Sequence, residues 1–179
     1  MTTSIPSVVT YAPVTTGAPI DPPGDPLLSN MGPAAYADRA DHPDLTVHGE
    51  PKVVPMRIAQ NFYVEPRDPD PRGMAMLGLD ERIAGTVVDL WVDRSEPSVR
   101  YFEVEVAGTG RNVLVPFTVC RVNARRGTVR TKAILARQFA NVPVTASPER
   151  VTLLEEDKIM AYFAGGYLYA TADRARPFV

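Results

Sequence analysis

The run VRYFEVEV, residues 99–106, alternates between two kinds of side chain. One face of an extended chain would carry Phe102, Val104 and Val106, and the other would carry Tyr101, Glu103 and Glu105. Alternation with this period predicts a β-strand with one dry side. We therefore expect Glu103 and Glu105 to face solvent.

Further short β-type runs surround this one, separated by turn signals rich in Gly, Pro, Asp and Arg. They are MAMLGL (74–79), IAGTVVDLWVD (83–93), NVLVPF (112–117), VCRVNA (119–124) and TVRTKAI (128–134). Strands this short, joined by tight turns, favour a small β-barrel, because closing a sheet on itself removes its exposed edges.

The run SPERVTLLEEDKIMAYFAGG, residues 147–166, predicts a helix near the C-terminus. Ser147 is a candidate N-cap, and Pro148 suits the first helical position. The Gly165-Gly166 pair would end the helix.

The same run has an acidic and an apolar face at helical spacing. Glu155, Glu156 and Asp157 alternate with Val151, Leu154 and Ile159. We expect the apolar face to pack on the barrel. A shorter helix is predicted over AILARQFA, residues 133–140.

The N-terminal part of the chain is rich in proline: 13 of the 18 prolines fall at or before Pro71, which argues against regular structure there. Single apolar residues among these prolines favour an extended arm laid over another surface. The alternative is a leader without fixed structure that ends near Asp41. The predicted division is an extended arm (1–72), a β-barrel (73–146) and a C-terminal helix with its tail (147–179).

The formal net charge of −2 predicts neither a general nucleic-acid binder nor a strongly acidic protein. No window approaches the roughly 18 apolar residues of a membrane span, and the start MTTSIPSVVTYAP lacks the features of a secretory signal. Cys120 lies in an apolar run, where we expect a buried and unreactive thiol. These features predict a soluble or peripheral protein that is made and kept in the cytoplasm.

Enzyme signatures are missing from the sequence, which has no glycine-rich phosphate loop, no HExxH and no paired CxxC. Charge, however, is uneven, because no acid lies between Glu105 and Glu149. The bases in that interval are Arg111, Arg121, Arg125, Arg126, Arg130, Lys132 and Arg137. This basic interval could face phospholipid head groups, acidic loops of a partner or RNA, or it could be an ordinary solvated face.

A second charged feature is the loop DRSEPSVR, residues 93–100, after the tryptophan-bearing run. Asp93, Glu96 and Arg100 could form a simple loop salt bridge. They could instead form a titrating cluster, since neighbouring carboxylates hinder one another's ionisation and a nearby Arg limits that effect. Composition leaves both explanations open.

Several segments closely resemble the cytoplasmic part of the H subunit of purple-bacterial photosynthetic reaction centres. They are DPLLSNMGPAAYADR, HGEPKVVPMR, DPDPRGM, IAGTVVDLWVDRSEPSVRYFEVEV and VTLLEEDKIMAYFAGGYLYA. Their order and spacing are similar from about Asp25 to the C-terminus. The core of that family is a PRC barrel, so the resemblance implies a mainly β fold with a C-terminal helix and a PRC-type barrel behind the arm.

The resemblance also implies a function. The H subunit is a non-catalytic part of a light-driven electron-transfer complex and caps the L and M subunits at the cytoplasmic face of the photosynthetic intracytoplasmic membrane. It shields the quinone sites and helps to deliver protons to the secondary quinone. It would hold no cofactor itself, with bacteriochlorophyll, bacteriopheophytin, quinones and non-haem iron in the partner subunits. The arm would pack on these subunits, light-harvesting proteins are further candidate partners, and no nucleic acid is expected.

Five residues match the family's proton uptake region. Asp93 and Glu96 match its two carboxylates, and Arg100 matches a neighbouring basic residue. His48 matches the first of a histidine pair, and Glu50 stands where some members have the second histidine. Glutamate keeps a titratable group there but would bind metal ions less well, so no metal ligand and no catalytic residue is expected.

One departure from the family is large, because its H subunit usually begins with a membrane-spanning helix that this sequence does not show. Either the anchor is a separate polypeptide, or docking on the L and M subunits suffices, or the sequence is truncated. The basic interval supports an alternative function, a free-standing PRC-barrel protein of RNA metabolism similar to ribosome maturation factors.

Overall fold

The computed structural model describes Pro22 and residues 24–175, and this part of the chain is mainly β-structure with a C-terminal helix, as the sequence predicted. The strands are β1 (Val53–Pro55), β2 (Ala75–Leu77), β3 (Ile83–Asp93), β4 (Ser98–Val106), β5 (Asn112–Pro116), β6 (Cys120–Asn123) and β7 (Thr128–Thr131). Helices α1 (Leu153–Tyr169) and α2 (Ala172–Ala175) follow. β3 coincides with the predicted run 83–93, whereas β2 and β7 are shorter than their predicted runs.

Within the described residues the strands form one seven-stranded sheet with the order β5-β4-β3-β2-β7-β6, and β1 also pairs with β3. Neighbouring strands are antiparallel except β2 and β7, which are parallel. β3 therefore pairs with β4 along one edge. Along its other edge, β3 pairs with β2 near its start and with β1 near its end. A 3-10 helix, Phe117–Val119, carries the chain from β5 to β6, the two end strands.

Aromatic packing fixes α1 against the sheet. The largest fully buried side chains include Trp91, Tyr101, Phe102, Phe139, Tyr162 and Phe163. Phe163 meets Phe139 and Tyr162 edge-on, with ring centroids 6.2 and 6.1 Å apart. Burying each ring stabilises the fold by about 1.5–3 kcal/mol. Phe139 belongs to a 3-10 helix, Ala136–Asn141, which occupies the place of the short helix predicted over 133–140.

The middle of β4 is buried on both faces, so the expectation of one dry side is wrong there. Glu103, predicted to face solvent, is 4% exposed, and Tyr101 on the same face is also buried. Glu105 is exposed as predicted. Arg57 and the segment before α1 cover this second face, because Arg57 bonds both the Glu103 carboxylate and the Pro148 carbonyl.

Helix α1 begins later than predicted. Its N-cap is Thr152, whose hydroxyl accepts a hydrogen bond from the Glu155 N–H at 3.1 Å. The Glu155 carboxylate in turn accepts from the Thr152 N–H at 2.9 Å, which completes a capping box. Ser147, the predicted cap, instead accepts from the Glu149 N–H in a local turn.

The glycines in α1 do not end the helix, which continues to Tyr169, so that prediction is also wrong. Gly165 and Gly166 are buried inside it, where neighbouring segments come very close. A β-carbon on Gly165 would lie 2.7 Å from the Ala34 Cβ, and one on Gly166 would lie 2.4 Å from the Ala133 carbonyl oxygen. Among the described helices, none is long and apolar enough to cross a bilayer.

The described part of the arm lies on its own barrel and helix. The 3-10 helices Pro26–Leu28 and Gly32–Ala34 pack on α1, with Leu27 and Ala34 buried. The His42 and Ala40 carbonyls accept hydrogen bonds from the first N–H groups of α1, at 3.1 and 3.2 Å. The first N–H groups of an α-helix have no acceptor within the helix, so these two carbonyl groups of the arm supply hydrogen bonds that α1 could not make by itself. The alternative of a leader without fixed structure as far as Asp41 is therefore wrong over 24–41, while residues 1–21 and 23 lie outside the described residues.

The glycine contact gives a test of arm docking. We expect Gly165→Leu to lower the free energy of unfolding by about 1–3 kcal/mol, because the new side chain overlaps Ala34. Chemical denaturation measures this, and limited proteolysis should show earlier cleavage within residues 24–42. Ala164→Leu, at the exposed neighbouring position, is the control and should change neither property. Equal stability of the two variants would contradict the close packing of arm and helix.

Candidate functional site

The charged loop 93–100 begins at a buried carboxylate. Asp93 ends β3 and is 1% exposed. Its Oδ1 accepts hydrogen bonds from the N–H groups of Ser95 and Glu96, at 2.9 and 3.1 Å. This turn, in which an Asp side chain bonds the backbone just ahead of it, fixes the direction in which the loop leaves the strand.

The second oxygen of Asp93 has a different environment. Oδ2 is buried and has no hydrogen-bond donor in the described part of the chain. Two cations face it, with Arg100 Nη1 at 3.6 Å and Lys52 Nζ at 3.8 Å. These distances give electrostatic support without a direct hydrogen bond. Oδ2 therefore keeps open positions for a hydrogen-bond donor.

A hairpin of the arm, residues 44–52, lies beside this loop. The Lys52 N–H donates to the Asp44 carbonyl at 2.8 Å, which closes the hairpin. Arg94 joins it to the loop, because its backbone N–H donates to the Lys52 carbonyl at 2.9 Å and its side chain bonds the Pro51 carbonyl. Arg94 also pairs with the Glu50 carboxylate at 3.3 Å.

The structure therefore brings Asp93, Arg100 and Glu50 to one region through Lys52 and Arg94. Glu96 follows Asp93 in the same loop, and its side chain is exposed.

His48, the last predicted site residue, is at the hairpin tip. Its backbone N–H donates to the Thr46 hydroxyl at 3.2 Å, and the residue is exposed. Among the described residues, its ring has no contact with the carboxylates of the loop.

Glu156 is a site residue that the sequence reasoning missed, because it was assigned to the acidic face of α1. Its Oε1 accepts a hydrogen bond from the Tyr101 hydroxyl at 2.7 Å and lies 4.0 Å from Arg100 Nη2. Arg100 thus lies between the carboxylates of Asp93 and Glu156.

The surroundings of Glu156 change its protonation. Burial raises its pKa above the usual range, although the Tyr101 hydrogen bond and the Arg100 charge oppose the rise. Burial likewise raises the pKa of Tyr101, and the Glu156 charge adds to this effect. Helical spacing could have identified Glu156, since Ile159 and Phe163 follow it at three and seven residues on the buried face of α1.

A second group of carboxylates was also missed. Asp89 and Glu103 are both buried on the β3–β4 pair, and Arg57 bridges them through Nη1, at 3.0 Å to Asp89 Oδ2 and 2.6 Å to Glu103 Oε2. The Trp91 indole N–H and the Asn112 amide also donate to Glu103, at 2.9 and 2.8 Å. Because direct hydrogen bonds hold the Asp89 and Glu103 carboxylates, we interpret this pair as a structural element of the sheet.

Two kinds of chemistry follow from this geometry. Asp93 Oδ2 has an open acceptor position, and Glu156 carries a carboxyl group whose pKa is raised by burial, so that it holds its proton to higher pH than an exposed glutamate does. Both lie within reach of Arg100, whose charge favours the ionised forms. In the part of the chain that the structure covers, no group of three or more His, Cys, Asp or Glu side chains could hold a metal ion.

Two family models match the chain. The model for the photosynthetic reaction centre H-chain N-terminal region matches residues 5–58, and the PRC-barrel domain matches residues 65–137. The first match includes the hairpin with His48 and Glu50, and the second includes the sheet from β2 to β7 with its charged loop. The PRC-barrel match confirms the fold class expected from the strand pattern.

The Arg57 bridge gives a prediction about stability. We expect Arg57→Met to lower the free energy of unfolding by about 3 kcal/mol, near the lower end of the cost of breaking a buried ion pair, because two buried carboxylates lose their cation. Arg72→Met is the matched control. The side chains of Arg57 and Arg72 are both 40% exposed. The side chain of Asp70, the partner of Arg72, is 41% exposed, whereas those of Asp89 and Glu103 are only 7% and 6% exposed. The control should cost about 0–1 kcal/mol, and similar losses in both variants would contradict the bridging role.

The raised pKa of Glu156 gives a prediction about pH. A carboxyl group whose pKa is higher in the folded state stabilises the fold at low pH, and that contribution is lost as pH rises through the raised value. Glu156→Gln stays neutral and can still accept the Tyr101 bond, so it should lack this loss. Thermal unfolding of the wild type and of Glu156→Gln at several pH values between about 4 and 8 measures how the stability of each protein changes with pH. Glu105→Gln, at an exposed position, should keep the wild-type profile, and an unchanged profile in Glu156→Gln would disprove the assignment.

Proposed function

We propose that this chain, whose N-terminal region matches the reaction-centre H-chain model, is an H-type subunit that caps the L and M subunits and assists proton transfer to the secondary quinone. The family is a membrane-associated structural part of the reaction centre. The cap would lie on the cytoplasmic face of the photosynthetic membrane and would shield the quinone sites from water. The chain itself would perform no catalytic step.

The observation that carries the proton-transfer role is the state of Asp93. A buried carboxylate normally has all its strong acceptor positions filled. Asp93 instead has one oxygen held by two backbone N–H groups and a second oxygen with two cations beyond bonding distance. The proposed relay assigns the transferred proton to this oxygen, which is held in place and has no direct donor.

The proposed route from solvent to this oxygen starts at Glu96. Glu96 is exposed, and its backbone N–H bonds to Asp93 Oδ1, so in the proposed route its carboxylate would take up the proton from solvent and pass it towards the buried site. Proton transfer needs donors and acceptors in hydrogen-bond reach or one water apart. Glu50 and His48 in the arm hairpin would collect protons at the outer end, and Arg100 would set the charge balance between Asp93 and Glu156.

The partner subunits would hold the redox groups in this proposal. Bacteriochlorophyll, bacteriopheophytin, quinones and non-haem iron belong to the L and M subunits. Residues of the arm would add contact area on them, and light-harvesting proteins or a separate anchor polypeptide would be further partners. Large contact areas favour stable association.

Glu96 provides the direct test in the assembled complex. We expect Glu96→Gln to slow proton-coupled reduction of the secondary quinone by about tenfold or more, because an acid–base group is lost, while the first electron transfer stays unchanged. Flash-induced absorbance changes and proton uptake in purified complexes measure both steps. Glu105→Gln removes the same charge at another exposed position and should have no effect.

Two results would contradict the proposal at different levels. Unchanged proton uptake in Glu96→Gln would reject the relay but leave the cap intact. Recovery of the chain from its native membranes without any pigment-bearing subunit would reject the cap as well. RNA affinity of that free chain would favour the alternative in RNA metabolism.

A further inference from the structure

The basic interval contributes to a small pocket that the proposed proton route does not use. This basic pocket, of about 210 Å³, lies where β6 and β7 meet α1. Its charged walls are Arg121, Arg130 and Lys132, and Cys120 and Tyr167 line it as well. Burial raises the pKa of the Cys120 thiol to about 12, so this wall stays neutral.

The strand register forces these cations together. Arg121 on β6 is directly opposite Arg130 on β7. Residues opposite each other in an antiparallel pair share one face of the sheet, and like charges in such a pair are destabilising. Lys132 follows directly after the end of β7 and lines the same pocket. Two arginines opposite each other and a lysine beside them line one pocket, and this arrangement favours an anion between them.

Only part of this charge is neutralised within the chain. Glu81 pairs with Arg130 at 2.6 Å, and the Leu79 carbonyl accepts a second bond from the same guanidinium. The Arg130 Nε–H is buried and has no acceptor among the described residues, which costs free energy unless a ligand or water supplies one. Arg121 and Lys132 have no carboxylate within ion-pair distance in residues 24–175. The pocket thus keeps an excess of positive charge.

We infer that the basic pocket binds a single phosphate group, either of a phospholipid headgroup or of a small soluble phosphate. A guanidinium and an ammonium group from two strands match the several oxygens of a phosphate, and charge-assisted bonds of this kind are strong. The Tyr167 side chain at the rim adds a hydroxyl group. A pocket of this size suits one phosphate, whereas a polynucleotide needs a continuous basic groove with stacking rings. The inference does not depend on the proton route.

The test compares two double variants with equal charge loss. Arg121→Gln/Lys132→Gln removes the two unpaired cations of the pocket, and Arg125→Gln/Arg126→Gln removes two exposed arginines from the adjacent turn. All four positions are exposed, so both variants should fold, which thermal unfolding checks. Binding of inorganic phosphate is followed by calorimetry and by backbone amide shifts. Binding to vesicles of phosphatidylcholine with and without phosphatidylglycerol is followed by co-sedimentation.

We expect the pocket variant to bind phosphate or anionic vesicles about tenfold or more weakly, while the turn variant stays near wild type. Amide shifts should concentrate at residues 118–121 and 130–132. Vesicle binding without phosphate binding would assign the site to a lipid headgroup, and binding of both would assign it to phosphate in general. Equal losses in the two variants, or binding by neither ligand, would overturn the inference. Binding of single-stranded RNA alone, with no response to phosphate, would also overturn it.

Discussion

Burial of three carboxylates beside the two central strands is the constraint on which the rest of this structure depends. Asp89, Asp93 and Glu103 are each at most 5% exposed. Removing a charge from water costs several kcal/mol unless cations and hydrogen bonds compensate. The arm supplies two of those cations, Arg57 and Lys52, so docking of the arm and packing of β3 against β4 are energetically linked.

The three carboxylates nevertheless have different roles because their partners differ. Glu103 receives direct bonds from Arg57, Trp91 and Asn112, and such a network holds side chains in one arrangement. Asp93 has one satisfied oxygen and one that faces cations at longer range. The β3–β4 pair therefore contains a fixed group, Glu103, in the middle of β4, and a carboxylate with one open acceptor oxygen, Asp93, at the end of β3, where the loop and the arm hairpin meet.

Positive and negative charge are also separated across the sheet. The buried acids lie on the β3–β4 pair, whereas the basic pocket lies on the β6–β7 pair, and β2 stands between them in the strand order. Helix α1 connects the two regions, because Glu156 near its start contacts Tyr101 of β4 and Tyr167 near its end lines the basic pocket. One sheet thus carries a group of buried carboxylates on one side and a separate basic pocket on the other.

The sequence by itself determined the order and approximate extent of strands β2 to β7, the PRC-barrel fold class, and the local pairing of Asp93 with Arg100, because alternation, turn residues and loop motifs act over a few neighbouring positions. Only the tertiary structure decided which charges are buried. Glu103 has the alternation of a solvent-facing residue, yet Arg57 from the arm and Pro148 from before the helix cover it. A Gly-Gly pair usually marks the end of a helix. Here Gly165 and Gly166 lie inside α1, where the absence of side chains lets Ala34 of the arm and the Ala133 backbone approach the helix closely. Both outcomes depend on contacts between segments far apart in the chain, and such contacts leave no local pattern.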